Sequence, residues 1–224
     1  MAKRTDFNKS IIEKEESIFA EFAEIAFVVL VALVIAVILR TQVSMVRGVD
    51  GVSMQNTYNS AESGYKGYGI YDTVRITRIG SVRRGDVVTF ESNLKDGKDG
   101  YKILIKRVIG VGGDKLEFRA GADKIGSAAV LEVWRNGVRL DEPYIKRDGN
   151  GTPLFTKHGD RPLNEPFIVK KGFYFVMGDN RDNSTDSRSN SVGVVPFKKI
   201  EGKVYLTVHE GDNYVSALWN KVFN

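Results

Sequence analysis

Nucleophilic chemistry has few residues to draw on in this chain. Its 224 residues include no cysteine and two histidines, His158 and His209. Thiol nucleophiles, disulfides and cysteine-ligated clusters are excluded, and a transition-metal site has almost no ligands to use. A Ser–His–Asp triad would need one of the two imidazoles. His158 lies in a polar segment rich in Gly and Pro, and His209 follows the last strand-like run. Neither is well placed for catalysis. The remaining route is a serine activated by a neutral lysine, and apolar burial is what lowers a lysine pKa far enough.

Lys106 meets that requirement. It lies in the run Lys102-Ile103-Leu104-Ile105-Lys106-Arg107-Val108-Ile109. In a strand it shares a face with Leu104 and Val108, which would strip water from its amine. The run alone leaves a second reading open, a lysine at a strand edge whose amine reaches solvent. Ser53, in Gly51-Val52-Ser53-Met54, is open in the same way. It reads as an ordinary loop serine, or as a nucleophile held close in sequence to a membrane.

A third segment, Gly178 to Arg188 (GDNRDNSTDSR), is densely polar and follows the apolar run Phe173–Met177. Asp182, Ser184 and Asp186 have the alternate spacing of a calcium loop. However, Ser187 stands in place of the turn glycine and Gly193 in place of the bidentate Glu, so an EF-hand fails. The segment reads as a solvated loop, or as one that organises a site through hydrogen bonds.

Elements of two kinds must position these residues. Ile25 to Leu39 are fifteen apolar residues without interruption. Extended back to Phe19, the segment reaches the length of a single transmembrane helix, 19–39, with Glu21 and Glu24 at one end. The preceding stretch carries Glu13, Glu15 and Glu16 and is too long and acidic for an ordinary secretory signal. Lys3, Arg4, Lys9 and Lys14 precede the helix, and Arg40 and Arg47 follow it. That bias places the N-terminus in the cytoplasm and the rest of the chain on the outer face. A charged fraction of 27% argues against further spans.

The remainder reads as mainly β. Strand-like runs recur at Thr73–Ile79, Asp86–Glu91, Ile103–Val111, Val130–Arg135, Phe167–Lys170, Phe173–Met177 and Lys203–Val208, punctuated by Gly, Asp and Asn. Short strands with turn signals predict an antiparallel, barrel-like or sandwich-like architecture. Residues 146–166 read as an exposed loop inside an insertion. In the tail, Val215, Leu218, Trp219, Val222 and Phe223 recur at helical spacing, a stripe that packs on the body or lies at a lipid interface. The net charge of +5 would suit anionic headgroups but alone decides nothing, while a domain outside the cell has no obvious access to nucleic acid.

Taken together, the three segments resemble the bacterial type I signal peptidases, a family of Ser–Lys proteases. Gly51-Val52-Ser53-Met54 resembles the nucleophile box, and Arg84-Gly85-Asp86-Val87-Val88-Thr89-Phe90 a structural strand box. Lys106-Arg107-Val108-Ile109-Gly110 with Gly113-Asp114 resembles the lysine box, and Gly178–Arg188 the last box. Asn136-Gly137 and Asp141-Glu142-Pro143-Tyr144 are also similar to family sequence. Four boxes in order, behind an anchor, form a specific pattern.

The resemblance implies Ser53 as nucleophile and Lys106 as general base. Ser184 would orient the Lys106 amine, and Asp186 and Arg188 would form a supporting ion pair. The Ser53 backbone N–H would face the oxyanion. Gly51 stands where some members carry a second oxyanion donor, a hydroxyl, so the Gly51 region must supply a backbone group or water. Two departures stand out. Gln55-Asn56-Thr57 lacks the proline usual behind the nucleophile, which predicts a looser turn or a reshaped cleft, and Gly112 replaces a common proline.

The implied organisation is a cytoplasmic tail (1–18), the transmembrane helix (19–39), a catalytic β core (40–114 and 173–212), a β-rich insertion (115–172) and an amphipathic C-terminal segment (213–224). The implied function is a serine endopeptidase of the cell membrane that removes signal peptides from exported preproteins, cleaving after small residues. It needs no metal and no cofactor. Its partners would be preprotein signal peptides and membrane lipid, with pilus or surface-protein subunits if the chain is a dedicated paralogue, and no nucleic acid. The alternatives are a weakly catalytic homologue acting as an assembly chaperone for pilus subunits, a self-cleaving repressor protease, and a non-catalytic anchored β-barrel. The anchor and the absence of a DNA-binding helical domain disfavour the repressor.

Overall fold

The computed structural model describes residues 20–37, 44–59, 70–97 and 100–209. The chain divides into two units. The first contains helix α1, Ala20–Val37, whose 18 residues have a mean hydropathy of 2.5. At 1.5 Å per residue it spans about 27 Å, so it is long and apolar enough to cross a membrane. The ends of the 19–39 segment, the tail 1–18 and the C-terminal stripe lie outside the described residues.

The second unit is built on β-strands. These are β1 (Ser44–Asp50), β2 (Ile70–Thr77), β3 (Val87–Lys95), β4 (Tyr101–Val111), β5 (Lys115–Ile125), β6 (Ala128–Arg135), β7 (Val138–Arg139), β8 (Phe167–Ile168), β9 (Phe173–Met177), β10 (Val195–Pro196) and β11 (Ile200–Val208). One sheet has seven strands in the order β1-β2-β11-β3-β4-β9-β10, and the other has four in the order β7-β6-β5-β8. The ladders with a defined register are antiparallel. The mainly β, antiparallel expectation is met, and each of the seven expected strands has a counterpart. Strands β1, β5, β7 and β10 were not expected.

Alternation along the strands divides the core. Val87 and Val88 are consecutive and enter different clusters. Val87 packs with Val49, Met54, Tyr58, Val74 and Ile76, beneath the turn that carries Ser53. Val88 packs with Phe90, Val108, Val176, Val192 and Val195. A third cluster joins Ile109, Phe175 and Met177 of the large sheet to Leu116, Phe118, Leu131 and Val133 of the small one.

Residues 146–166 differ from the exposed loop expected of them. They are mostly irregular, but Phe155 is fully buried and meets Phe118 edge-on, with ring centroids 6.2 Å apart. Leu131 donates its N–H to the Phe155 carbonyl over 2.7 Å. Phe155 and the partly buried Leu163, both packed on the Phe118 cluster, anchor an otherwise largely polar segment.

Candidate active site

Lys106 lies mid-strand in β4, paired across the ladder with Val88 and flanked on its own face by Leu104 and Val108. It is 2% exposed, so the solvent-reaching reading does not hold. Burial is the main cause that pushes its pKa down, to about 8; the Asp186 and Asp179 carboxylates oppose that shift and Arg188 adds to it. Its amine donates to Ser53 Oγ over 2.7 Å and to the Ile105 carbonyl over 2.7 Å.

Ser53 sits in the turn that follows β1. Gln55 N–H donates to the Val52 carbonyl at 3.1 Å and Tyr58 N–H to the Met54 carbonyl at 2.9 Å. Gln55 also bridges outward. It donates to the Asn59 carbonyl at 3.1 Å and accepts from Lys146 Nζ at 2.8 Å. The looseness expected from the missing proline is thus countered by hydrogen bonds, several of them long-range. From the other side, Asn180 donates its N–H to the Ser53 carbonyl at 3.1 Å and its side-chain amide to the Val52 carbonyl at 3.0 Å.

The Gly178–Arg188 segment is a hydrogen-bonded frame rather than a solvated loop. Asp186 takes a bidentate pair from Arg188 at 2.8 and 2.8 Å, the Gly178 N–H at 3.0 Å and the Ser184 hydroxyl at 2.8 Å. Burial raises the Asp186 pKa, but the Arg188 charge and these donors outweigh it and hold the carboxyl below its ordinary range. The direct bond expected between Ser184 and the Lys106 amine is not among those made by the described residues. Ser184 donates instead to Asp186, the stronger, charged acceptor. Asp186 and Arg188 do form the expected pair. Gly51 adopts φ +87°, and its carbonyl accepts from Asn59.

Gly178 is forced by close approach. A Cβ there would lie 2.3 Å from Ser184 Oγ and 2.4 Å from the Ser53 carbonyl oxygen. Asp179, fully buried, accepts from Thr57 at 2.5 Å and from Arg107 at 2.8 and 2.6 Å. The two imidazoles are engaged elsewhere, His158 with the Arg161 carbonyl and His209 with Asp72.

Beside Ser53 and Lys106 opens a cleft of about 150 Å³, lined by residues of β1 and β4 with Val74 and Thr89 between them. Two backbone edges flank it. β1 ends the sheet order, and β4 pairs with β9 only from Arg107 onward, which leaves one side of Ile103–Ile105 open among the described ladders. Sequence reasoning missed Asn59, Asp72 and Thr89 as site residues. Asn59 and Asp72 act through contacts between separate segments, and Thr89 through its place in the cleft lining, none of which leaves a local signature.

The family model for signal peptidases, peptidase S26, matches residues 22–209. Signal peptidase IB of Staphylococcus aureus is 33% identical over 134 residues, 57% of this chain and 61% of its own length. Signal peptidase I of Bacillus licheniformis is 32% identical over 138 residues, 59% of this chain and 61% of its own length. The chain thus spans about 61% of the curated relatives it matches. The crystal structure of a signal peptidase I from Enterococcus faecalis V583 is 28% identical, covers 57% of this chain and 99% of that one, and superposes with a TM-score of 0.38. With the family match running from α1 to the end of the last strand, this chain belongs to the S26 signal peptidase family.

Proposed function

We propose that the chain is a membrane-anchored serine endopeptidase that removes signal peptides from exported preproteins with a Ser53–Lys106 dyad. The observation that carries this reading is the 2.7 Å contact between Ser53 Oγ and a buried lysine amine whose pKa is about 8. In its neutral form the amine accepts the Ser53 proton as Oγ attacks the scissile carbonyl. The resulting ammonium returns that proton to the leaving amine. Water then hydrolyses the acyl-enzyme, with Lys106 again as base. The Ser53 N–H and the Gly51 region stabilise the oxyanion.

Ser184, Asp186 and Arg188 are positioning residues. Asp186, held by Ser184 and Arg188, accepts the Gly178 N–H, and, two residues on, Asn180 donates to the Ser53 carbonyl. An extended substrate segment lies between the edges of β1 and β4 and drops alternate side chains into the cleft, with a small residue before the scissile bond. Helix α1 anchors the chain with its N-terminus in the cytoplasm, and the β core (40–114, 173–212) with its insertion (115–172) lies on the outer face. The relatives named above are signal peptidases and give the pilus-dedicated and chaperone readings no support.

The test is cleavage of a preprotein by the detergent-solubilised full chain beside Ser53→Ala and Lys106→Ala. Cleavage after a small residue, abolished by each substitution, is expected. Activity that survives Ser53→Ala would remove Ser53 as the nucleophile.

A further inference from the structure

Thr89 lines the cleft beside Ser53, and its hydroxyl has no partner. The residue is 2% exposed, and Oγ1 is the single buried side-chain nitrogen or oxygen among the described residues that makes no hydrogen bond. The register explains why. Its cross-strand neighbours are Ile105 on β4 and Gly202 on β11, of which one offers hydrocarbon and the other no side chain. Val49, Val74 and Ile103 line the cleft and are aliphatic too, and its polar lining residues, Arg47, Asp50, Ser53 and Lys106, make no hydrogen bond to the hydroxyl. Elsewhere the buried polar groups are paired, as Asn59, Asp179 and Asp186 show. A valine would fill the same volume without a stranded hydroxyl. The one unsatisfied group thus lies where the segment to be cut must pass.

Resting on the Ser53–Lys106 reading, we propose that Thr89 is a specificity residue. Its hydroxyl pairs with a hydroxyl on a short side chain of the bound segment, so the cleft selects substrates carrying Ser or Thr at one position upstream of the scissile bond. A site that holds a polar group in readiness rejects an analogue lacking the partner, whereas an aliphatic pocket discriminates weakly. A cleft of about 150 Å³ has room for a short hydroxyl-bearing side chain. Rotation about χ1 exchanges the threonine hydroxyl and methyl between staggered wells, which turns the hydroxyl toward an occupant. An extended segment presents alternate side chains, so the preference falls at one position and not at its immediate neighbours.

The experiment uses the full chain in detergent and synthetic peptides that differ only by Ala, Ser, Val or Thr at each of the four residues before the scissile bond. At one position, kcat/KM for Ser over Ala and for Thr over its isostere Val is expected to be about tenfold. Thr89→Val should bring both ratios to near one, and Thr89→Ser should keep them. Ratios are internal to each variant, so a smaller folded fraction does not alter them. Equal ratios in Thr89→Val and the unmodified chain would overturn the proposal, as would flat ratios in a chain that cleaves well. If the unmodified chain cleaves no peptide at all, the proteolytic reading itself fails, and this inference with it.

Discussion

Asn59 donates its side-chain amide to the carbonyl of Gly51 over 3.0 Å, and the same nitrogen reaches the Val49 carbonyl over 2.9 Å. One amide therefore holds the end of β1 and the start of the turn that carries Ser53. Asn59 is itself held by Asp72, which accepts its N–H at 2.7 Å and donates a backbone N–H to its Oδ1 at 3.0 Å. The backbone at Asn59 is left-handed, with φ +51°.

That clamp can be separated from its backbone. Asn59→Gly keeps the left-handed conformation and removes the amide, leaving buried carbonyls short of a donor at a cost of about 1–3 kcal/mol. Asn59→Ala adds strain of about 1 kcal/mol or more. Both variants should lose stability in urea, Asn59→Ala more, and kcat/KM should fall about tenfold in Asn59→Gly. An unchanged kcat/KM would show that the turn holds Ser53 without the amide.

The pKa of Lys106 sets a pH profile. The base must be neutral, so kcat/KM should rise with pH through a midpoint at about 8 and level off above it. The stability consequence has a definite sign. The folded value lies below the ordinary 10.5, so between about 8 and 10.5 the unfolded chain binds the extra proton and folding gains stability as pH rises. The contribution is lost as pH falls through about 8. Denaturation of the unmodified chain and Lys106→Met at pH 7 and 9.5 should show the gap between them narrowing at the higher pH, with Lys106→Met the more stable at pH 7.

Arg181 and Glu142 form a buried pair, with guanidinium–carboxylate contacts at 2.5 and 3.1 Å. Arg181 also donates to the Gly178 carbonyl at 3.0 Å, so the pair ties the segment before Ile145 to the frame around Asp186. Glu142→Gln strands a buried cation and should cost roughly 3–5 kcal/mol in urea unfolding. The double variant Glu142→Gln with Arg181→Met should recover part of that loss. A single-variant loss below about 1 kcal/mol would mean that water reaches the guanidinium.

Thr89→Val should stabilise the unliganded chain by about 1 kcal/mol or more, since it removes a buried hydroxyl that lacks a partner. Thermal unfolding checks this directly. A lower Tm in Thr89→Val would show that the hydroxyl is satisfied in solution.

Much of the site was legible because its chemistry depends on strand parity. Leu104 and Val108 announce the burial of Lys106, and the apolar run Phe173–Met177 announces the strand that carries Gly178 into place. Strand β5 was not legible. Lys115-Leu116-Glu117-Phe118-Arg119-Ala120 alternates, with Leu116 and Phe118 buried, but the run then passes into Gly121-Ala122-Asp123-Lys124, which blurs the signal over the rest of the strand. β1 is short and interrupted by Gly48. The position of Ser53 itself depends on Asn59, Asp72 and Asn180, and no pattern in sequence reports a contact 128 residues apart such as Asn180 to Val52. Ser184 was expected at the amine; its hydroxyl donates to the nearby Asp186 carboxylate instead.

The crowding at Gly178 also governs how this protein can diverge over generations. Any Cβ there meets Ser184 on one side and the Ser53 carbonyl on the other, so a single codon change displaces the nucleophile. Drift has no one-step path through that position. Side chains that line the cleft, such as Thr89 and Ile103, have room to vary, whereas position 178 is confined to glycine.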